Sequence, residues 1–451
     1  MGRILNLETN KSAGKQVKVA GWVQTIRAHG KIVFFDLRDR SGLLQIVFVP
    51  GSPAYEKMKK VKPEWVVEIT GIIKKRPEKM VNDNIETGKV EMEAKEMKVL
   101  AESDPIPFDY LEKDLQVSLP TLLDQRPLTV RNEKVKAAFK LGDEITDSFR
   151  KTLKAMDFTE FQSPCIVPNV AEGGAEIFEI NYYKHKAYLS QSPQLYKQIM
   201  LGAFERVFTI AHIFRAEPSV TTRHLSEYVS LDTEMAFIES WEEIMDVCEK
   251  IIKNMVENAQ KNCKKELELY GVEKPKIGRI PRIKMKEAQK IIFQRTKKDQ
   301  RKEPDLDPED EKEISKWALE KHKSDFVFIT HYPTKKRPFY TYPDPKDKDY
   351  TLSFDLLFRG LEIVTGGQRI NNYKQLTDNI KKWGNDLNNF SFYLQAFKYG
   401  LPPEGGFAMG QERIVKQFLG LANLREATPF PRDMERIDQR LSLTKKKKNR
   451  K

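Results

Sequence analysis

Hydrophobic positions alternate with polar ones over the first hundred or so residues. Val17–Val23 has a period of two, the mark of a strand with one buried face. Ile32–Asp39 follows a turn at Gly30, and Leu43–Val49 follows the turn Arg40-Ser41-Gly42. Val66–Ile73 and Val90–Ala94 repeat the pattern, and Ala54–Lys60 is predicted as a short helix between the third and fourth strands. Five strands with a helix in that place predict an OB-fold barrel, an architecture that binds single-stranded nucleic acid. A generic small barrel would show the same alternation.

Beyond this the pattern changes. Residues 105–132 carry Pro105, Pro107, Pro120 and Pro127 among polar positions, a linker composition. Val135, Ala138, Phe139, Ile145, Phe149 and Leu153 then recur at helical spacing, as do Ile244, Val247, Cys248, Ile251, Ile252 and Met255 in a second helix. Residues 275–325 are rich in Lys, Glu and Asp and read as a solvated accessory segment without chemistry. Within it Asp307-Pro308 predicts an N-cap and first helical residue, opening a helix to His322. Strands resume at Phe326–Ile329, Asp355–Phe358 and Leu361–Val364, and a last helix opens near Gln411. Domain limits follow at residues 1–104, 105–132 and 133–441, with a basic tail at 442–451 predicted to be disordered.

Composition narrows the function classes. With 39% hydrophobic and 32% charged residues in 451, the chain reads as a soluble protein of two or three domains. No apolar run is long enough to cross a bilayer, and the N-terminus lacks a signal-peptide core. Cys165, Cys248 and Cys263 are too far apart for a zinc site or a disulfide framework, which fits a cytoplasmic location. The net charge of +13 favours a polyanionic partner.

Four clusters interrupt the strand patterns with polar groups. Glu172-Gly173-Gly174 and Gln191–Lys197 suit a mobile loop and a small-ligand pocket. Phe214-Arg215-Ala216-Glu217 and Arg223-His224-Leu225 stand at the ends of a long-looped hairpin, where paired arginines can grip phosphate. Asp355 and Glu362 bracket a strand and could meet Mg²⁺ through oxygen ligands, while Gly366-Gly367-Gln368-Arg369 offers close backbone approach and a fork for a carboxylate. Gly405-Gly406-Phe407-Ala408-Met409-Gly410-Gln411-Glu412-Arg413 runs a glycine-rich strand into a helix, a place for a flat ring against the backbone and an arginine near a phosphate tail.

As a set these clusters resemble the class II aminoacyl-tRNA synthetases of subclass IIb, aspartyl branch, in its archaeal and eukaryotic style, over residues 15–440. Phe158–Pro164 resembles motif 1, Phe214–Glu217 with Arg223–Leu225 motif 2, and Gly410–Arg413 motif 3. The resemblance implies an α+β fold: an N-terminal OB-fold β-barrel, then a catalytic domain of antiparallel sheet flanked by helices. It implies ATP-dependent activation of L-aspartate to aspartyl-adenylate, then transfer to the 3′ end of tRNA-Asp. Gln24 and Glu86 match the usual residues of neither tRNA range, which leaves tRNA-Asn open as a second partner.

The implied roles are specific. Arg215 and Arg413 are the catalytic arginines. Aspartate is held by Glu172, Gln194, Lys197, Arg215, Thr365 and Arg369. ATP is held by Arg215, Glu217, Arg223, His224, Leu225, Glu362, Gly410, Gln411, Glu412 and Arg413. Mg²⁺ falls to Glu362, Thr365 and Asp355, and the anticodon to Arg27, Phe35, Gln45 and Glu91. Phe35 would stack a base, although its place in an alternating strand also suits a core residue. The resemblance further implies a homodimer, with the proline of motif 1 at its interface. An asparaginyl-tRNA synthetase of the same fold is the nearest rival, but Lys197 with Arg369 favours an acidic substrate. The asparagine synthetase related to this catalytic domain lacks the barrel, and a non-catalytic paralogue would have lost one of the arginines or Glu362.

Overall fold

The computed structural model describes residues 2–169, 176–218 and 220–442. The chain divides into two compact units, Met1–Asp109 and Tyr110–Lys451.

In the first unit, strands β1 (Gln16–His29), β2 (Ile32–Asp39), β3 (Gly42–Phe48), β4 (Val66–Lys75) and β5 (Val90–Ala101) close into a barrel of order β1-β2-β3-β5-β4. Helix α1 (Pro53–Met58) lies between β3 and β4 and is capped by the Ser52 hydroxyl. This is the OB-fold expected from the alternation. Val17, Val19, Leu37, Leu44, Ile46, Ile69 and Met92 point inward and form the core. The phase of the alternation decides one assignment. Phe35 faces inward with no exposed surface, its ring centroid 4.5 Å from that of Phe48. It cannot stack on a base without leaving the barrel core, and the stacking role expected of it is corrected to a packing role. Because side chains alternate across a strand, the neighbouring Phe34 faces outward.

In the second unit, eight strands form one sheet. They are β6 (Thr159–Glu160), β7 (Arg206–Phe214), β8 (Glu227–Ala236), β9 (Arg282–Lys284), β10 (Phe326–Thr330), β11 (Ser353–Phe358), β12 (Leu361–Gln368) and β13 (Glu404–Gly410). Their order is β9-β10-β11-β12-β13-β8-β7-β6. The six central strands are antiparallel, as expected, but the two end pairs, β9–β10 and β7–β6, run parallel. Apart from Val135, helices α2 (Glu133–Lys154) and α3 (Glu242–Asn262) pack their predicted stripes into one core with sheet residues Phe208, Leu231, Phe354, Phe407 and Met409.

Two segments differ from the sequence-based expectation. From Tyr110 onward the proline-rich stretch belongs to the second unit: Leu119–Asp124 and Arg126–Thr129 are helical, and the Asn132 amide donates to the Tyr110 and Glu112 carbonyls. Residues 275–325 supply β9 and helix α4 (Pro308–His322), whose Ile314 and Ala318 pack with Val327, Ile329 and Leu357. The predicted cap is present, with Asp307 accepting from the Glu309 and Asp310 amides. Among the described residues no helix is long and apolar enough to cross a membrane.

Candidate active site

The open face of the sheet carries the site. Strand pairing sets Asp232 opposite Ala408, Glu234 opposite Gly406, and Thr365 opposite both Asp355 and Ala408. Small residues on β13 make a floor on which larger groups leave a cleft of about 380 Å³. A Cβ at Gly406 would lie 2.5 Å from Glu234 Oε2, and one at Gly366 2.6 Å from Phe407 Cβ. These glycines thus serve close packing between β8, β13 and β12.

The phosphate-type end is built from three arginines. Arg215 and Arg223 come from the loop that joins β7 to β8, Arg413 from the first turn of helix α5 (Gln411–Leu419), and all three line the cleft. Glu217, His224, Leu225, Glu362 and Gly410 line it too. Arg413 Nη1 donates to the Glu362 carbonyl at 3.0 Å and lies 3.5 Å from its carboxylate. Arg223 is paired with Glu311 of α4, so the segment read as free of chemistry reaches the site. Burial pushes the Glu311 carboxyl up to about 7 despite that arginine. His224 Nδ1 shares a hydrogen bond of 2.7 Å with the Thr221 hydroxyl, and burial lowers its imidazole below the ordinary value.

Two motif 3 residues make structural contacts, and of these Glu412 also lines the cleft. Gln411 Nε2 donates to the Gly142 carbonyl and the Thr146 hydroxyl, both at 2.8 Å, so its side chain ties α5 to α2 and does not face the cleft. Glu412 accepts from the Val229 amide at 3.0 and 3.2 Å, anchoring the start of β8, and its burial raises the carboxyl to about 7.

The proposed metal acids are not equivalent. Asp355 is buried and lies 2.8 Å from Arg337 Nη2, while Arg337 Nη1 donates to the Thr365 hydroxyl at 3.0 Å. Burial raises Asp355 to about 6, against the pull of Arg337. A cation of the protein thus already engages Asp355 and Thr365, and of the two acids Glu362 is the accessible one. Among the described residues no three His, Cys, Asp or Glu side chains converge as a metal site. Such a sparse donor set suits Mg²⁺ shared with substrate phosphates better than an ion caged by protein alone. Arg337 escaped the sequence reading because Lys335-Lys336-Arg337-Pro338 resembles an ordinary basic loop.

The opposite end is a buried charge network. Arg369 Nε donates to Glu234 at 2.8 Å, and its Nη2 donates to Gln194 Oε1 at 3.2 Å and to the Gly406 carbonyl at 3.0 Å. Gln194 Nε2 is buried without an acceptor at the cleft wall. Lys197 is fully buried and does not line the cleft. Its ammonium lies 2.8 Å from Asp232, 3.1 Å from Glu234 and 3.5 Å from the Thr233 carbonyl. In this arrangement the Lys197 ammonium is ion-paired with Asp232 and Glu234, so pairing with a ligand carboxylate would require it to turn from Asp232. Ser230, Asp232 and Glu234 were missed in the sequence, although polar residues at period two on a central strand are their signal. Glu172 falls outside the described residues.

On the barrel, Arg27, Gln45 and Glu91 are brought together on the outer face. Arg27 Nη2 lies 2.8 Å from Asp36 and 3.3 Å from Gln45 Oε1, and Gln45 Nε2 donates to Glu91 at 2.9 Å. Strand register sets Phe34 opposite Arg27.

Comparison with known proteins agrees with this geometry. The family model for class II tRNA synthetases (D, K and N) matches residues 118–434, and that for the OB-fold nucleic acid binding domain matches residues 17–100. The aspartate–tRNA(Asp/Asn) ligase of Thermus thermophilus is 40% identical, with 96% of this chain and 99% of that protein covered. The aspartate–tRNA(Asp) ligase of Pyrococcus furiosus is 38% identical over 95% and 97%. The crystal structure of asparaginyl-tRNA synthetase from Pyrococcus horikoshii with asparaginyl-adenylate superposes with a TM-score of 0.88 at 31% identity, covering 97% of this chain and 99% of that one. With the barrel, the cleft arginines and the motif strands all in place, the chain belongs to the class II aminoacyl-tRNA synthetases, in the aspartate–tRNA ligase group.

Proposed function

We propose that the cleft activates L-aspartate with ATP, with its three arginines at the phosphates and Arg369 at the substrate side chain. The observation that carries this reading is the convergence of Arg215, Arg223 and Arg413 with Gln194 and Arg369 on one cleft floored by small residues. An α-carboxylate is already ionised at neutral pH, so activation needs no general base. The work is positioning for in-line attack and neutralising charge on the α-phosphate and departing pyrophosphate. Arg215 stands where it can meet both the α-carboxylate and the α-phosphate. Arg223 and Arg413 serve the leaving end. Mg²⁺, held by Glu362 with the phosphates, would add charge neutralisation there.

Aspartate is preferred to asparagine because a carboxamide turns N–H groups toward the Arg369 donors, whereas a carboxylate accepts from them. The partner tRNA is tRNA-Asp, with tRNA-Asn as the second candidate, because relatives of both ranges match at similar identity. We place the homodimer contact at motif 1, where β6 ends the sheet. The three free cysteines suit a reducing cytoplasm.

The test is aminoacylation with radiolabelled aspartate on tRNA-Asp and tRNA-Asn transcripts, with asparagine in parallel. Charging of tRNA-Asp with aspartate is expected. Charging with asparagine alone would overturn the pocket reading.

On the barrel we propose Phe34, with Arg27, Gln45 and Glu91, as the anticodon platform. Phe34→Ala should weaken binding of an anticodon stem-loop by about 1–3 kcal/mol while leaving the melting temperature unchanged. Phe35→Ala should instead destabilise the barrel by about 3–5 kcal/mol. Unchanged stability with lost RNA affinity in Phe35→Ala would reverse the assignment.

A further inference from the structure

Beneath the amino-acid pocket lies a carboxyl group that the reaction scheme leaves unused. Glu404, at the start of β13, has no exposed surface. Its Oε1 accepts from Gln198 Nε2 at 2.6 Å, and Gln198 Oε1 in turn accepts from the Tyr393 hydroxyl at 3.0 Å. Gln198 is thereby oriented, with its amide nitrogen toward Glu404. Glu404 Oε2 has no donor at all. Glu404 is set opposite Ala236 of β8, so Glu234, two residues away, stands on the same face of the paired strands, and it too has no exposed surface and an Oε2 without a donor. Two ionised carboxylates so placed would repel one another, and neither could donate.

The charges give a second argument. Around the pocket stand two cations, Lys197 and Arg369, and three carboxyl groups, Asp232, Glu234 and Glu404. With every carboxyl ionised the cluster would be negative, a poor host for an incoming carboxylate. With one of them neutral, the cations are balanced and Arg369 keeps donors for the substrate.

We propose that Glu404 is a specificity-determining positioning residue that works as an uncharged acid, donating its proton to Glu234 and so holding Glu234, and through it Arg369, in place for aspartate. The proposal rests on the reading of Arg369 as the side-chain ligand. It satisfies every polar atom of the pair: Glu404 Oε1 accepts from Gln198, Oε2 carries the shared proton, and Glu234 accepts from Arg369 on Oε1 and from Glu404 on Oε2, with the Lys197 ammonium 3.1 Å away. The titration tendencies agree. Burial, reinforced by Glu234, pushes the Glu404 carboxyl well above the carboxylate range. Burial would raise Glu234 as well, but Arg369 and Lys197 bring it below its ordinary value. Glycine at 406 is part of the arrangement, since a side chain there would collide with the Glu234 carboxylate.

The test compares Glu404→Gln with Glu404→Ala in aspartate-dependent pyrophosphate exchange, measuring KM for aspartate, asparagine and ATP. Glutamine keeps both the shape and a donor toward Glu234. Its aspartate KM and its preference over asparagine should stay within about threefold of wild type, with superimposable profiles between roughly pH 6.5 and 8.5. Alanine removes the donor, and its aspartate KM should rise by about tenfold or more with the ATP KM unchanged. A shift in aspartate KM of about tenfold or more in Glu404→Gln, in either direction, would mean that an ionised Glu404 is needed or inhibitory, and would overturn the proposal. Wild-type aspartate KM in Glu404→Ala would overturn it as well. Arg369→Lys serves as control: if that variant also kept the wild-type aspartate KM, the pocket reading beneath the proposal would fall with it.

Discussion

Arg215→Ala will leave the protein folded and lower aspartate-dependent pyrophosphate exchange by about a thousandfold or more. The first half follows from the partial exposure of Arg215. Its side chain is 41% exposed, and its guanidinium stands 5.8 Å from the Tyr228 ring and 3.9 Å from Glu217. A cation–π contact at a partly exposed site contributes about 0.5–1 kcal/mol, and an exposed ion pair of that length less. The backbone amide of Arg215 donates to the Ser226 carbonyl, which alanine preserves. The second half follows from the chemistry. In adenylate formation two anions must approach each other, and a positioned guanidinium opposes that repulsion most in the transition state. The loss should therefore fall on the rate of exchange more than on aspartate affinity. Melting curves and steady-state exchange on the same preparations check both halves, and exchange at near wild-type rate would refute the role.

Arg215 was legible in the sequence for the same physical reason that its replacement is expected to leave the fold intact. Polar and charged groups at strand ends, where hydrophobic alternation breaks down, have no packing purpose to explain them. Arg223, Arg413 and Glu362 were found by that logic, and the structure brings them to one cleft. The barrel was legible because period-two alternation with turn residues between strands leaves few other folds. What alternation alone cannot supply is its phase. Phe34 and Phe35 are adjacent aromatics, and which one faces the core is fixed by the register of β2 against β1 and β3. The charge network of Lys197, Asp232, Glu234, Arg369 and Glu404 was half visible. Its cations stood beside conspicuous glycines and prolines, whereas its acids sit inside strands, where single polar residues look like the exposed half of an alternating pattern. The reach of Glu311 to Arg223 was invisible for a different reason: it joins residues 88 apart in sequence, and nothing local in a charged helix tells which acid turns inward.

The burial of that network makes Arg369 the most consequential substitution in the pocket, and also the one whose plain deletion is hardest to interpret. Its guanidinium commits Nε to Glu234 and Nη2 to Gln194 and the Gly406 carbonyl, so the N–H groups of Nη1 are the ones open to a substrate carboxylate. Arg369→Ala removes those donors, but it also strips Glu234 of a partner in a site without solvent. Breaking one side of a buried ion pair costs about 3–5 kcal/mol, so a lower melting temperature is expected alongside lost activity. Arg369→Lys separates the two effects. It keeps a positive charge near Glu234 but lacks the planar fork that serves protein and substrate at once. Its stability should remain close to wild type. Its aspartate KM should rise by roughly a hundredfold, the loss expected for a pair of charge-assisted hydrogen bonds. Selection should weaken in parallel, because asparagine never gained from those bonds, and the preference for aspartate should fall toward parity. Lys197 compensates only by leaving Asp232, with which its ammonium is paired alongside Glu234. Steady-state pyrophosphate exchange with aspartate and asparagine gives the KM values, isothermal titration gives the affinities, and melting curves give the stability. A lysine variant that binds aspartate as wild type does would show that Arg369 serves only to neutralise Glu234, and would move the recognition of the substrate side chain onto Gln194 and an Asp232-free Lys197.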